Sequence, residues 1–193
     1  GRAPLHVENA IIDESIEEID DKAFYNNPNL RSVVCHDRLL KVGRGAFSGC
    51  RSLQRVKMPG VKLIGDGAFY YCRSLTNVEL EKLETVGHGI FYFCSSLKWI
   101  KLPKVKTIGH SAFANSGVEE LEFGEDLETI GSGAFRGSKL RRIAIPLKDG
   151  MFHCMIGMEP TPNFVTAILR QLILSGGYTK QLLRCTLKVG RMK

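Results

Sequence analysis

The stretch Ile64-Gly-Asp-Gly-Ala-Phe69 recurs along the chain with almost constant spacing. The related segments are Ile19-Asp-Asp-Lys-Ala-Phe24, Val42-Gly-Arg-Gly-Ala-Phe47, Val86-Gly-His-Gly-Ile-Phe91, Ile108-Gly-His-Ser-Ala-Phe113 and Ile130-Gly-Ser-Gly-Ala-Phe135. Successive phenylalanines are 23 residues apart once and 22 residues apart four times. A fixed period in this range indicates a repeat architecture. We therefore expect a solenoid of about six coils of 22–23 residues.

A second pattern lies between these segments and predicts a short strand in each coil. It reads Leu53-x-x-Val56-x-Met58, Leu75-x-x-Val78-x-Leu80 and Leu97-x-x-Ile100-x-Leu102, with related forms around Val33, Leu121 and Ile143. Apolar residues at every second position are typical of a strand with one buried face. Pro59, Pro103 and Pro146 follow three of these strands and are expected to end them, because proline cannot donate to a β-ladder.

Taken together, the two patterns resemble the leucine-rich repeat of the BspA type. The resemblance covers roughly residues 10–150 and rests on Leu-x-x-hydrophobic-x-Leu-Pro and Ile-Gly-x-x-Ala-Phe-x-x-Cys. It implies an α/β-type solenoid with a parallel β-sheet on the concave face and irregular or short helical segments outside. Members include bacterial surface proteins that bind host matrix and many protist proteins. Residues 11–19 and 145–150 also resemble sets from microbial eukaryotes such as diatoms. The shared property that the resemblance implies is binding, not a reaction.

Composition predicts three parts in the 193 residues. They are a leader (1–9), the repeat domain (10–150) and a basic tail (151–193). The net charge is +7, and residues 146–193 hold seven basic and two acidic residues. Within the tail, Phe164–Leu174 is a candidate capping helix that would cover the open end of the stack. The sequence leaves open whether the basic segment 179–193 contacts a membrane surface or nucleic acid, or is an extension without settled structure.

The period-two pattern also predicts which strand residues point away from the core. These are Arg55, Lys57, Asn77, Glu79, Trp99, Lys101, Glu120, Glu122 and Arg142. Their mixed charge suits a protein or peptide better than a nucleic acid, which prefers a continuous basic stripe. Trp99 is the single tryptophan, and exposed aromatic residues are enriched among binding hot spots. The alternatives are that it lies flat over Lys101 or is covered by the tail.

Other candidate sites have structural explanations. Asp66, His88 and His110 occupy equivalent turns and could approach each other, but no fourth metal ligand completes the set. Cys50, Cys72 and Cys94 recur one period apart, which favours small buried thiols over disulfides or zinc ligands. Tyr70, Tyr71, Tyr92 and Phe93 form a cluster that is explained by packing between coils or by a second contact patch. No arrangement of nucleophile and base, and no phosphate-binding loop, indicates an enzyme.

The sequence thus predicts a non-catalytic scaffold that binds a protein or peptide on the concave sheet. An adhesin-like surface protein that recognises glycoprotein or matrix is the alternative. We expect a monomer with no cofactor, metal or small-molecule substrate, and membrane contact through the basic tail at most. Unpaired cysteines mildly favour the cytoplasm.

Overall fold

In the computed structural model, the residues described are 1–144, and they form a parallel β-solenoid of thirteen short strands numbered β1 to β13 in chain order. The seven odd-numbered strands have three or four residues: β1 (Asn9–Ile11), β3 (Ser32–Val34), β5 (Arg55–Lys57), β7 (Asn77–Glu79), β9 (Trp99–Leu102), β11 (Glu120–Phe123) and β13 (Arg142–Ala144). The six even-numbered strands have two residues: β2 (Glu18–Ile19), β4 (Lys41–Val42), β6 (Leu63–Ile64), β8 (Thr85–Val86), β10 (Thr107–Ile108) and β12 (Thr129–Ile130).

Every strand pairs in parallel with its equivalent in the next coil, apart from one interruption. The long strands form a four-stranded sheet (β1-β3-β5-β7) and a three-stranded sheet (β9-β11-β13), whereas the short strands form one six-stranded sheet. Residues one period apart are partners, so Val33, Val56 and Val78 lie side by side. β7 and β9 follow each other in the stack without pairing, so the long-strand sheet is interrupted beside Trp99.

The repeated phenylalanines form a continuous column of stacked rings in the core. From Phe24 to Phe135 the successive ring centroids are 5.0, 5.3, 5.6, 5.2 and 5.7 Å apart. These spacings are close to the ~4.8 Å between neighbouring strands. Columns of leucine, valine or isoleucine, and cysteine are buried beside the rings. The sequence period is therefore the number of residues after which the chain places the same type of side chain in the same column again.

The solenoid and its buried strand residues are confirmed, but the helical segments that the resemblance implied are not found within residues 1–144. The connections there are turns. Each coil holds two residues in the left-handed region, two before and two after its phenylalanine, as at Gly67 (φ 62°) and Tyr71 (φ 60°). Because a right-handed helix cannot contain such residues, no helix can extend across either position.

The short-strand sheet was not predicted, since the sequence suggested only a turn at the glycines that follow Ile64 and its equivalents. Each strand there has two residues, too few to show an alternation. Coils approach closely at these glycines: a Cβ built on Gly109 would lie 2.6 Å from the carbonyl carbon of Gly87. Pro103 directly follows the end of β9, as expected. Pro146, the domain end at residue 150, the candidate helix 164–174 and the basic tail lie outside the described residues.

Candidate interaction face

The outward side chains of the long strands form one surface, which we call the long-strand face. It consists of two columns that run from coil to coil. The first column is Asn9, Ser32, Arg55, Asn77, Trp99, Glu120 and Arg142, and the second is Ile11, Val34, Lys57, Glu79, Lys101, Glu122 and Ala144. All nine sequence-predicted residues lie on this face, and all of them except Glu120, which is partly buried, are exposed. Whether the face binds a partner remains a prediction.

Ion pairs between neighbouring strands neutralise most of the charge on this face. Lys57 Nζ lies 3.6 Å from Glu79 Oε2, and Lys101 Nζ lies 2.6 Å from Glu122 Oε1. The guanidinium of Arg142 donates to the carboxylate of Glu120. Exposed pairs of this kind contribute at most about 1 kcal/mol each to folding. Their main consequence is that few of the charges on this face remain available to a ligand.

Trp99 is the largest apolar group on the long-strand face. It begins β9, directly beside the interruption between the two long-strand sheets. Its side chain is 52% exposed, and its indole stacks on no aromatic ring and no cation within residues 1–144. Its partner across the ladder is Glu120, whose carboxylate is already paired with Arg142. An indole in this position presents a large apolar surface with a single N–H donor to solvent.

The other half of the face contains an open pocket of about 210 Å³. It is lined by Ser32, Val33, Val34, Arg55, Val56, Lys57, Asn77 and Glu79. Val34 in this lining is exposed, and its partner across the ladder, the exposed apolar residue Ile11, adjoins the pocket in the second column. Sequence reasoning missed Ile11, because β1 lacks the Leu-x-x-Val pattern and was assigned partly to the leader. Only the weak match Val7-x-x-Ala10 indicated this strand.

The side chains of Asp66 and His88 each accept a hydrogen bond from the backbone of the next coil, and so connect successive coils. Asp66 Oδ1 accepts a hydrogen bond from the His88 backbone N–H at 2.9 Å, and His88 Nδ1 accepts one from the His110 backbone N–H at 2.9 Å. His110 Nδ1 lies 2.6 Å from Ser132 Oγ. The two imidazoles stack at 5.0 Å. Within residues 1–144, no three such side chains are arranged to hold a metal ion.

The four-ring cluster is packed along and across coils. Tyr70 stacks on Tyr92 at 4.9 Å, and Tyr71 stacks on Phe93 at 4.8 Å. The Arg73 guanidinium lies 5.3 Å from the Tyr71 ring centroid. Burial against these neighbours raises the pKa of Tyr70. Of the four residues, only Tyr70 is exposed. Packing between neighbouring coils therefore accounts for the cluster.

The cysteines of the column are free and buried, as predicted for Cys50, Cys72 and Cys94. Cys35 is also a buried free thiol. No helix within residues 1–144 is long enough to cross a membrane.

Comparison with known proteins agrees with this architecture. The BspA-type leucine-rich repeat region, in six copies, matches residues 5–103. A leucine-rich repeat protein of T. pallidum has a similar structure, with a TM-score of 0.72 and 27% identity over 89% of this chain and 84% of that one. A leucine-rich cell surface protein of Faecalibacterium prausnitzii has a TM-score of 0.51 and 26% identity over 75% of this chain and 50% of that one. Curated protein sequences gave no significant match.

These solved structures are bacterial, so the resemblance to diatom proteins stays a prediction. The family match covers just over half of the sequence and includes the strands from β1 to β9. The strand pattern continues beyond it to Ala144. The chain belongs to the BspA-type leucine-rich repeat family.

Proposed function

We propose that this chain is a non-catalytic scaffold that binds a protein or peptide on the long-strand face, with Trp99 as the anchor. The observation that carries this proposal is the half-exposed indole of Trp99 at the start of strand β9. Interface hot spots are enriched in tryptophan, and a tryptophan side chain has only two dihedral angles to order when a partner buries it. The family's repeats fit such a role, since stacked coils offer an extended surface rather than a deep cleft.

Affinity capture from native lysate tests this proposal. We expect Trp99→Ala to reduce recovery of the specifically eluted partner at least tenfold, because a hot-spot side chain contributes about 2 kcal/mol or more. Leu63→Ala is the matched control. Leu63 is also an apolar residue of similar exposure, at 47%, but it lies on the short strand β6 and not on the long-strand face. Both variants should keep the melting curve of the parent chain in circular dichroism. Equal capture by both variants, or a collapsed melt for Trp99→Ala, would remove Trp99 as the anchor.

An extracellular adhesin-like role is the second candidate. It is supported by the cell surface protein of Faecalibacterium prausnitzii, although this chain spans half of that one. An antibody raised against residues 1–144 should then stain intact source cells, and permeabilisation should add little signal. Staining that requires permeabilisation would support the cytoplasmic location that the free thiols favour.

A further inference from the structure

Arg55 differs from the other basic residues of the long-strand face because its charge has no partner within residues 1–144. Lys57, Lys101 and Arg142 each form an ion pair with a glutamate on the next or preceding strand. The cross-strand partner of Arg55 on β7 is Asn77, which is uncharged, and on β3 it is Ser32. A guanidinium in this position keeps its five donors available to a ligand.

The open pocket lies around this free guanidinium. Its lining contains Arg55, Lys57 and Glu79, so the charges of the lining sum to one excess positive charge. The Lys57–Glu79 pair is internal to the wall, which leaves Arg55 as the group that a bound anion would meet. Arginine recognises carboxylates well because its planar fork can donate two parallel hydrogen bonds to one carboxylate.

An apolar strip formed by Val34 of the pocket lining and its neighbour Ile11 extends from the pocket on the side of the first coil. Ile11 is 85% exposed and Val34 is 42% exposed, and these two residues are direct partners across β1 and β3. Lys57 follows them in the same column, and Arg55 lies two residues before Lys57 on β5. One ligand can therefore contact the apolar strip and the free guanidinium together.

We propose that this pocket binds an extended peptide segment in which an acidic side chain is flanked by aliphatic residues. The carboxylate is bound by Arg55, and an aliphatic side chain packs on Ile11 and Val34. A nucleic acid fits less well, because phosphates need several free cations in a row and the column beyond Lys57 continues with Glu79. This inference rests on the proposed peptide-binding function and adds the chemistry of the partner at the part of the face formed by β1 to β7, which precedes the coil of Trp99.

Fluorescence anisotropy with a defined probe tests the assignment. The probe is the terminally blocked, fluorescein-labelled peptide Val-Glu-Val-Glu-Val, and Val-Gln-Val-Gln-Val is its uncharged counterpart. We expect the parent chain to bind the glutamate peptide at least tenfold more tightly than the glutamine peptide in 50 mM salt. Arg55→Gln should abolish this preference, whereas Arg55→Lys should retain part of it. Val34→Ser should weaken both peptides by a similar factor.

Lys62→Glu is the control for general electrostatics, because Lys62 is exposed and directly precedes β6, away from the long-strand face. The proposal predicts that Lys62→Glu leaves the preference for glutamate nearly unchanged, whereas Arg55→Glu eliminates it. No binding of the glutamate peptide up to 1 mM, equal affinity for both peptides, or equal loss in the two charge-reversal variants would overturn the assignment. Trp99-dependent capture from lysate is measured separately, so the scaffold proposal can survive failure of this one.

Discussion

The thiol of Cys72 donates a hydrogen bond to the carbonyl oxygen of Phe47, one coil earlier in the stack, at 3.1 Å. Cys50 makes the same bond to Phe24 at 2.9 Å, and Cys94 makes it to Phe69 at 3.2 Å. The regular spacing of cysteine and phenylalanine in this sequence therefore has a direct role. Each thiol gives a carbonyl of the neighbouring coil a second hydrogen bond, in addition to the one that this carbonyl accepts from a backbone N–H of its own coil. In the next two coils the column continues as Ser116 and Ser138, whose buried hydroxyls find no hydrogen-bond partner among the described residues.

Replacing Ser116 by alanine should stabilise the protein. The C–O bond of serine is shorter than the C–S bond of cysteine, so the hydroxyl does not reach a carbonyl of the preceding coil. A buried polar group without a partner costs about 1–3 kcal/mol. We expect Ser116→Ala to raise the free energy of unfolding by about 1 kcal/mol in urea titrations, and Ser116→Cys to do the same by restoring the hydrogen bond. Ser96→Ala, at a partly exposed position, should change it little. Destabilisation by both Ser116 variants would show that the hydroxyl has a partner.

The buried thiols predict a loss of stability at alkaline pH. Burial raises the pKa of Cys50 from 9.0 to about 12, because the thiolate would lose its hydration. Above pH 9 the unfolded chain releases this proton and the folded chain retains it, so stability falls between about pH 9 and pH 12. At pH 10 the loss is on the order of 1 kcal/mol for one such thiol.

Urea titrations at pH 8 and pH 10 measure this effect. Cys50→Ala should show a smaller decrease between the two pH values than the parent chain, because tyrosine and lysine titrations are common to both proteins. The same decrease in both would contradict retention of the Cys50 proton. A thiol-reactive dye at pH 8 should label Cys35, Cys50, Cys72 and Cys94 slowly in the native protein and rapidly in 8 M urea.

The fold was more predictable than the site, for a physical reason. A column of identical side chains leaves a period that one sequence displays, and the stacked rings from Phe24 to Phe135 are the result. The outward positions of Trp99 and Arg55 followed from the same alternation. The short strands were missed because two residues such as Thr107 and Ile108 cannot show a period.

The sequence pattern could not predict the contacts between side chains of neighbouring strands. Which carboxylate neutralises which cation depends on the register between strands, so the pairing of Arg142 with Glu120 and the isolation of Arg55 are visible only in the three-dimensional structure. Ile11 was missed since its strand departs from the repeat consensus. These details decide the chemistry of the face, and they depend on side-chain geometry that varies from coil to coil.

An exchange of residues at the left-handed turns tests the backbone argument. Ser111 has φ 54° at the position where Gly89 has φ 59° in the preceding coil. A side chain in this region costs about 1–2 kcal/mol, partly offset by the lower flexibility of a non-glycine residue in the unfolded chain. We expect Ser111→Gly to raise the free energy of unfolding by about 0.5–1 kcal/mol and Gly89→Ser to lower it by a similar amount. Changes of the same sign in the two variants would refute the backbone explanation.

Replacing phenylalanines of different burial by alanine tests whether the phenylalanine column stabilises the solenoid. Phe69 is fully buried and stacks on rings at 5.3 and 5.6 Å, whereas Phe24 ends the column and stacks on one ring. We expect Phe69→Ala to lower the free energy of unfolding by about 3–5 kcal/mol, the usual cost of emptying a buried aromatic site. Phe24→Ala should cost less than half of that, because it is only partly buried and the end of the stack can relax around it. Denaturant titrations of both variants measure the difference. Equal losses in the two variants would contradict this prediction. They would mean that the coils unfold as one unit whose free energy of unfolding does not depend on which ring is removed. The ring column would then result from the stacking of the coils rather than stabilise it.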